Sequence, residues 1–391
     1  MGYYTEYLNK NLDFNGLSSE RKNQLRQISA LREGRDVLVI AADLNKQIPL
    51  ISIGYSDLLP IKDQISELRG DKIDIILETP GGSGETAEDI VKLVRERYTE
   101  VGIIIPGYAK SAGTIMAMSG DEILMSSSSI SSLGPIDAQL FWQGKIFSAG
   151  AFLEGLKKIQ KEVEETGTLN KTYIPILQGI SPGEIQNAQN ALDFARILVK
   201  EWLTRYKFKS WQTHLKNKQA VTQEEKEFCA NEIAGKLCDH QHWLTHARSI
   251  RLKDLEDMGL RITDYSKIDK LAEAIDRYYT LLQMSFSSPL YKLFETPTTQ
   301  IQKFLAPIVT APQQDKPSDQ NANIATVDLT CNNCKTKYKI QINLDKPAPL
   351  EPGAVAFPAD NKLKCAVCGI EHDLSKLKEQ IESQTHKKVI V

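Results

Sequence analysis

The sequence lacks any long apolar segment. None of its 391 residues lies in a run that approaches the roughly 20 apolar residues needed for a membrane-spanning helix. Residues 1–27 are polar and lack the apolar core of a secretion signal. We therefore expect no transmembrane segment, and we expect a cytoplasmic location.

An excess of charge of one sign is also missing. The chain has 48 Lys and Arg against 50 Asp and Glu, which gives a formal net charge of -2. Such a balance provides no overall electrostatic attraction to nucleic acid or to an anionic membrane. The apolar share of 41% and charged share of 25% are ordinary for a soluble globular protein. The length suits about two or three domains.

Cysteine is scarce, and its placement is uneven. Only six are present, and four of them form two CxxC pairs: Cys331, Cys334, Cys365 and Cys368. Without a secretion signal, this pattern favours a metal site over disulfides. Four thiolates at this spacing suit one structural Zn²⁺ in a zinc ribbon. Reduced cysteines without metal are the alternative, but so small a unit would then have little core to hold it together.

The secondary-structure pattern changes along the chain and predicts four segments. From Asp36 strands and helices alternate, with "PLISIGY" as the second strand, which indicates a largely parallel sheet in an α/β domain. "TAPQQDKPSDQNANIA", residues 310–325, is rich in Pro, Gln, Asn and Asp and is typical of a linker. The predicted segments are a helical lead-in at 1–34, the α/β domain at 35–290, a linker at 291–325 and the zinc ribbon at 326–391.

Two short stretches of the α/β domain contain candidate catalytic residues. "ETPGGSGET" lies between a predicted strand and helix, and it matches neither a P-loop nor a dinucleotide-binding fingerprint. "YAKSAG" places Ser111 after the strand-like "VGIIIPG". A serine nucleophile needs a base and two N–H donors for the oxyanion, and the Gly82 and Ala112 amides are candidates. The alternatives are a tight turn at the glycines and close helix packing at the small residues.

Three stretches together resemble a known family. "TPGGSGETAEDIVKLV", "AKSAGTIMAMSGDEILM" and "SISSLGPIDAQ" are similar to the serine dehydrogenase proteinase family, a relative of signal peptide peptidase A and the Clp protease subunit. The resemblance spans residues 36–285 and implies the ClpP/crotonase-like fold of stacked ββα units. It also implies a serine endopeptidase acting on proteins or peptides, with Ser111 as nucleophile, Gly82 and Ala112 as the oxyanion hole, and a homo-oligomeric assembly.

The base that would activate Ser111 is harder to assign. No histidine lies between Ser111 and His214, so a Ser-His-Asp triad of the Clp type is absent. Resemblance to signal peptide peptidase A implies a lysine instead, and Lys171 in "TLNKTYIPILQGISPGE" stands in the corresponding place. Its pKa would have to fall from about 10.4 to about 7–8 through burial. The alternative for Lys171 is an ordinary surface lysine. Among the rival bases, Lys157, Lys158 and Lys161 fit the solvated face of a helix, and Lys110 is expected to point away from Ser111 because it directly precedes it.

Several other readings stay open. "HQHWLTHARSI" contains three histidines, but their spacing matches no familiar metal site. Asp137 in "GPIDAQ" either positions a loop near the site or belongs to an ordinary turn.

Residues 326–391 contain ten Lys, eight Asp and Glu, and no Arg, which favours a protein partner for the ribbon over nucleic acid. The alternative functions are a crotonase-type acyl-CoA enzyme and a non-catalytic oligomeric scaffold.

Overall fold

The computed structural model describes residues 2–142, 145–214, 218–305, 323–385 and 387–390. The chain divides into two compact units, residues 1–307 and residues 308–391. In the described part of the chain, no helix is both long enough and apolar enough to cross a bilayer.

In the first unit strands and helices alternate from residue 36 to residue 125, and the stretch between residues 148 and 263 is helical. Its strands are β1 (Asp36–Ala42), β2 (Lys72–Glu78), β3 (Glu100–Ile104), β4 (Tyr108–Ala109), β5 (Glu122–Met125), β6 (Ser132–Leu133), β7 (Gln139–Trp142), β8 (Lys145–Ser148), β9 (Thr263–Asp264), β10 (Leu290–Glu295) and β11 (Gln300–Phe304). Its helices are α1 (Tyr3–Asn9), α2 (Phe14–Leu31), α3 (Leu58–Ser66), α4 (Gly84–Arg97), α5 (Ala112–Ala117), α6 (Ala149–Thr166), α7 (Ile174–Gln178), α8 (Pro182–Trp202), α9 (Gln223–Leu237), α10 (His240–Trp243), α11 (Leu252–Asp257) and α12 (Asp269–Phe286).

A seven-stranded sheet forms the centre of this unit, in the order β11-β10-β1-β2-β3-β5-β9. The strands β1, β2, β3, β5 and β9 are parallel, whereas β10 is antiparallel to β1 and to β11. The parallel strands are nearly continuous apolar runs because both faces of the sheet are covered. One core packs β2 against α3, α4 and α8, and the other packs it against α2 and α12. The carboxyl ends of the parallel strands share one edge of the sheet.

The first unit is longer than the predicted α/β domain. Residues 291–304, assigned from the sequence to the linker, form most of β10 and all of β11 in the central sheet. The lead-in helix α2 packs on α12, and its fully buried Arg21 pairs with the fully buried Glu295 at 3.1 Å. Tyr278 donates a further hydrogen bond to that carboxylate. A buried charge needs such partners, so the N-terminal helices and β10 belong to one folded body. Most of the predicted linker stretch 310–325 lies outside the described residues.

The segment "PLISIGY" is not the second strand that its alternating pattern predicts. It contributes to two short 3₁₀ turns, Pro49–Ile51 and Tyr55–Asp57, and Ile53 between them forms an isolated bridge with Gly82. Three-residue 3₁₀ turns are common connectors. The bridge between Ile53 and Gly82 places this segment against the glycine loop that follows β2.

The second unit is small and rich in strands. It contains β12 (Ile324–Thr330), β13 (Lys337–Leu344), β14 (Ala354–Ala356), β15 (Lys362–Lys364), β16 (Glu371–Asp373), α13 (Ser375–Thr385) and β17 (Val389–Ile390). Strands β12, β13, β14 and β17 form one sheet, and β15 pairs with β16. Its core is a single cluster around Ile340, Ile342 and Phe357. So small a core contributes little stability.

Candidate active site

Ser111 occupies a strained turn between β4 and α5. Its backbone has φ 50° and ψ -113°, and its side chain makes no capping hydrogen bond although it stands at the N-cap position of α5. A positive φ in a residue with a Cβ costs about 1–3 kcal/mol and persists only where the surroundings impose it. Turns of this kind present the nucleophile of many hydrolases. Ser111 is partly buried, and its hydroxyl does not cap the helix that follows.

The two glycines after β2 lie directly against Ser111. A Cβ on Gly81 would stand 2.7 Å from the Cβ of Ser111 and 3.3 Å from the Ala112 nitrogen, and one on Gly82 would overlap the backbone of Ile53. Both glycines have positive φ values, 101° and 147°. The chain needs glycine at both positions for steric and for conformational reasons. The glycines therefore form a tight turn, and that turn is also compatible with an oxyanion site beside Ser111.

Backbone hydrogen bonds hold this loop in place from both sides. Thr79 donates to the carbonyl of Tyr108 at 2.9 Å, and Lys110 donates to the carbonyl of Thr79 at 3.0 Å. On the other side, Ile53 donates to the carbonyl of Gly81 at 2.7 Å. Within the described residues, neither the Gly82 amide nor the Ala112 amide donates a hydrogen bond to the protein. Two unpaired N–H groups beside a serine hydroxyl are what an oxyanion requires.

A buried carboxyl, Glu78 at the end of β2, anchors this loop through hydrogen bonds. It accepts hydrogen bonds from the backbone of Tyr108 at 2.8 Å and from the hydroxyl of Tyr279 at 3.1 Å. Burial raises the pKa of Glu78 to about 8, against the opposing effect of these two hydrogen bonds. Because it joins the end of β2 to the start of β4, Glu78 fixes the glycine loop relative to the serine turn.

Lys171, the base predicted from the sequence, lies in a 3₁₀ turn between α6 and α7. The turn spans Lys171–Tyr173 and is capped by the side chain of Asn170. The side chain of Lys171 is exposed, and no hydrogen bond links it to Ser111 among the described residues. Lys157, Lys158 and Lys161 on α6 are exposed as well.

Lys110, the residue before Ser111, contacts a distant part of the chain. Its ammonium donates a hydrogen bond of 2.5 Å to the carbonyl of Ala247, and partial burial lowers its pKa. This contact joins the serine turn to the histidine-rich segment near residue 246.

A group of side chains that the sequence did not connect surrounds Asp137, and we call it the Asp137 cluster: Asp137, Ser148, His240 and His246. The Asp137 carboxylate is 4% exposed and accepts a hydrogen bond from the Ser148 hydroxyl at 2.7 Å. The Nδ1 atoms of His240 and His246 lie 3.6 and 3.9 Å from its Oδ2. Burial lowers the pKa of His246, and the nearby Asp137 opposes this shift. The only sequence signals were "GPIDAQ" and the three spaced histidines.

The four cysteines of the CxxC pairs converge in the second unit. Their Sγ atoms all lie within 4.8 Å of one another, and the pairs Cys331–Cys368 and Cys334–Cys365 are 3.5 Å apart. All four are free thiols. Zn–S bonds of about 2.3 Å in a tetrahedron place sulfurs about 3.8 Å apart. The cluster can therefore hold a metal ion, and its geometry is compatible with a zinc ribbon.

Two further side chains contact these sulfurs. The hydroxyl of Tyr338 donates to the Sγ of Cys365 at 3.1 Å and accepts from the backbone of Ala366 at 2.8 Å. The Nε2 of His372 lies 3.3 Å from the Sγ of Cys331. Hydrogen bonds of this kind orient metal-binding thiolates.

Comparison with known proteins gives one family match. A model of the family described as ClpP-like SDH-type serine proteinase matches residues 7–210, which is more than half of the chain. The matched region contains β1 to β5, the glycine loop, Ser111, Asp137 and Lys171.

Individual relatives cover less of the chain. Two uncharacterized proteins of Methanocaldococcus jannaschii, MJ0137 and MJ1495, are 32% identical over 136 residues and 31% identical over 153 residues. These alignments cover 33% and 37% of this chain, and 46% and 50% of the relatives, so the chain spans about half the length of the curated relatives it matches.

Two solved structures of the 1510-N membrane-bound stomatin-specific protease are also similar. One is a serine-to-alanine mutant, and the other is a lysine-to-alanine mutant in complex with a substrate peptide. Their sequence identities are 16% and 15%, each with a TM-score of 0.31. They cover 56% and 66% of this chain, and 79% and 88% of their own chains.

Proposed function

The chain belongs to the family of ClpP-like SDH-type serine proteinases, and we propose that it hydrolyses peptide bonds with Ser111 as the nucleophile. The family membership and the ClpP-like fold predicted from the sequence are thereby confirmed. The observation that supports the nucleophile most strongly is the strained backbone of Ser111, at φ 50° and ψ -113°, beside two glycines that no larger residue could replace. A crotonase-type acyl-CoA enzyme has no use for a serine in that turn.

In the proposed reaction, the oxyanion of the tetrahedral intermediate is stabilised by two backbone amides. The Gly82 and Ala112 N–H groups are unpaired among the described residues, and Gly81 packs on Ser111 between them. Each such donor contributes about 10²–10³ in kcat in a serine peptidase. Ser111 itself is only partly buried.

The proposal is tested by a serine-directed fluorophosphonate probe on the full chain. We expect one covalent adduct, located on the Ser111 peptide by mass spectrometry after proteolytic digestion. Prior heat denaturation of the protein should abolish the adduct, because reactivity depends on the folded site. An adduct on another serine, with none on Ser111, would contradict the assignment.

For peptide substrates we propose Lys171 as the base that forms a dyad with Ser111. Its side chain is exposed in the free chain, so this role requires that a bound substrate, or a second copy, covers it and lowers its pKa by desolvation. The surrounding helices support such covering, because on α6 only Ala149 is buried and Ile174 and Ile176 are 39% and 55% exposed. Exposed apolar side chains of this kind also support a homo-oligomer.

We expect Lys171→Met to lower the rate of casein cleavage by about 10²–10⁴-fold, the usual contribution of a general base. Methionine matches the apolar part of the lysine side chain in length and removes its amine. The matched control is Lys157→Met on the exposed face of α6, which should cleave casein at the wild-type rate. Casein cleavage by Lys171→Met at the wild-type rate would exclude the dyad.

For the second unit we propose a structural Zn²⁺ and a protein partner. The four converging thiols support the metal, and reduced thiols suit the cytoplasmic location that the sequence predicts. The unit presents lysines but no arginine between residues 326 and 391, which supports docking of a protein more than binding of a nucleic acid.

A further inference from the structure

A buried ion pair holds the segment that is bonded to the glycine loop. The ammonium of Lys292 in β10 lies 3.0 and 2.8 Å from the two carboxylate oxygens of Asp57. The two side chains are 5% and 2% exposed. The same ammonium donates to the carbonyl of Ser52 at 2.8 Å. One cation therefore joins the two ends of residues 52–57, which we call the clamp segment.

A second lysine contacts the clamp segment at one end. The ammonium of Lys303 in β11 lies 3.2 Å from Asp57, but its side chain is 22% exposed. In the described part of the chain, Lys292 reaches the carbonyl of Ser52 and Lys303 does not. The two lysines thus share the carboxylate and differ in their contact with the residue before Ile53.

The clamp segment meets the glycine loop at Ile53. Ile53 donates to the carbonyl of Gly81 at 2.7 Å and accepts from the amide of Ser83 at 3.0 Å. These two hydrogen bonds form a parallel bridge between Ile53 and Gly82. In such a bridge the flanking peptide groups are bonded, so the N–H of Gly82 itself faces away from Ile53. The position of Ile53 therefore sets the position of the Gly82 amide.

Burial makes the ion pair between Lys292 and Asp57 a weak source of stability. Both charges lose their hydration, and apolar residues of similar size often stabilise a core as well or better. Burial lowers the pKa of Lys292, and its hydrogen bonds to Asp57 oppose this shift. An ammonium has three donors, and here they meet both oxygens of Asp57 and the carbonyl of Ser52. The pair supplies direction, which an apolar contact lacks.

We propose that Lys292 is a positioning residue of the active site, which holds the clamp segment so that Ile53 keeps the Gly82 amide in place for the oxyanion. This inference rests on the proposed function, since it takes Ser111 as the nucleophile and Gly82 as an oxyanion donor. Lys292 acts through the backbone of Ser52 and Ile53 and not by contact with the substrate.

The test is Lys292→Met in the full chain, with kcat and KM for casein cleavage measured separately. We expect kcat to fall by about 10²-fold, the cost of displacing a catalytic group by about 1 Å. KM should stay within about three-fold of the wild type, because the oxyanion forms only in the transition state. In hydrogen–deuterium exchange, the amides of Ile53 and Ser83 should exchange about ten-fold faster, the effect of losing one hydrogen bond.

Two matched controls separate positioning from a loss of stability. Lys303→Met removes the other cation near Asp57. Arg21→Met removes the cation of the buried pair with Glu295, which belongs to the same strand as Lys292. Arg21→Met is the control for stability, because it also leaves a buried carboxylate without its cation. Both controls should keep kcat within about three-fold of the wild type.

A double variant keeps the test decisive if Lys292→Met does not fold. Asp57→Asn combined with Lys292→Met removes both charges, so no unpaired carboxylate remains in the core. Asn keeps an acceptor for the Gly54 amide, which donates to Asp57 at 3.1 Å. The double variant still lacks the hydrogen bond to Ser52, so we expect the same fall in kcat and the same faster exchange.

The outcomes separate this inference from the proposed function. Wild-type kcat in the folded variant, or unchanged exchange of Ile53 and Ser83, overturns the inference and leaves Ser111 as nucleophile. An equal fall of kcat in Arg21→Met also overturns it, because the effect would then be a general loss of stability. Equal casein cleavage by the wild type and Ser111→Ala overturns the proposed function, and the exchange of Ile53 then decides separately whether Lys292 holds the clamp segment.

Discussion

Ser111→Ala should reduce the kcat for casein cleavage by about 10⁶-fold, as loss of the nucleophile does in other serine peptidases. Alanine keeps the Cβ that packs against Gly81 and removes only the hydroxyl, which makes no capping hydrogen bond. The amides of Gly82 and Ala112 remain, so weak residual hydrolysis above the rate in water is expected. Cleavage of fluorescent casein, followed over days for the variant, measures the difference.

A second variant, Ser111→Gly, tests whether the positive φ at this position strains the backbone. Glycine adopts φ 50° without a steric penalty, so this variant should be equally inactive and yet more stable than Ser111→Ala, by about 1 kcal/mol. Denaturant unfolding of both variants measures that difference. Casein cleavage by either variant at the wild-type rate would refute the peptidase assignment.

The alternation of strands and helices from residue 36 was readable because a buried parallel strand is a continuous apolar run, as in β1 and β2. The last two strands of the first unit, β10 and β11, were assigned to the linker for a physical reason. In β11 no residue is fully buried, so its composition resembles a linker. Its membership in the sheet depends on pairing with β10, and that contact leaves little trace in the local sequence.

The meeting of Ser111 with the glycine loop was predictable because its requirements are local. Gly81 and Gly82 lie in the loop after β2 and Ser111 lies in the turn after β4, and parallel strands bring the loops at their carboxyl ends together. The meeting of Asp137 with His246 was not predictable, since more than 100 residues separate them and the histidine spacing matched no known site. Their proximity arises only in the folded chain, where Nδ1 of His246 lies 3.9 Å from Oδ2 of Asp137.

Removal of the metal from the second unit should unfold it. Its one apolar cluster around Ile340 and Phe357 is small, whereas binding of a structural Zn²⁺ contributes about 10–16 kcal/mol in zinc-finger peptides. We expect about one Zn²⁺ per chain by elemental analysis. After treatment with a strong chelator, limited proteolysis of the full chain should digest residues 326–391 and leave residues 2–305 intact, because the two units have separate cores.

The double variant Cys331→Ser and Cys365→Ser should reproduce this result without a chelator. It removes one ligand from each CxxC pair, and Ser is a poor replacement for a thiolate on zinc. Cys229→Ser is the control, because Cys229 lies in the first unit and outside the cluster; it should retain the metal and the protease resistance of the second unit. Fluorophosphonate labelling of Ser111 should survive in both variants, since the serine turn is held by contacts of the first unit alone. A second unit that stays resistant to proteolysis without bound metal would show that its apolar core suffices.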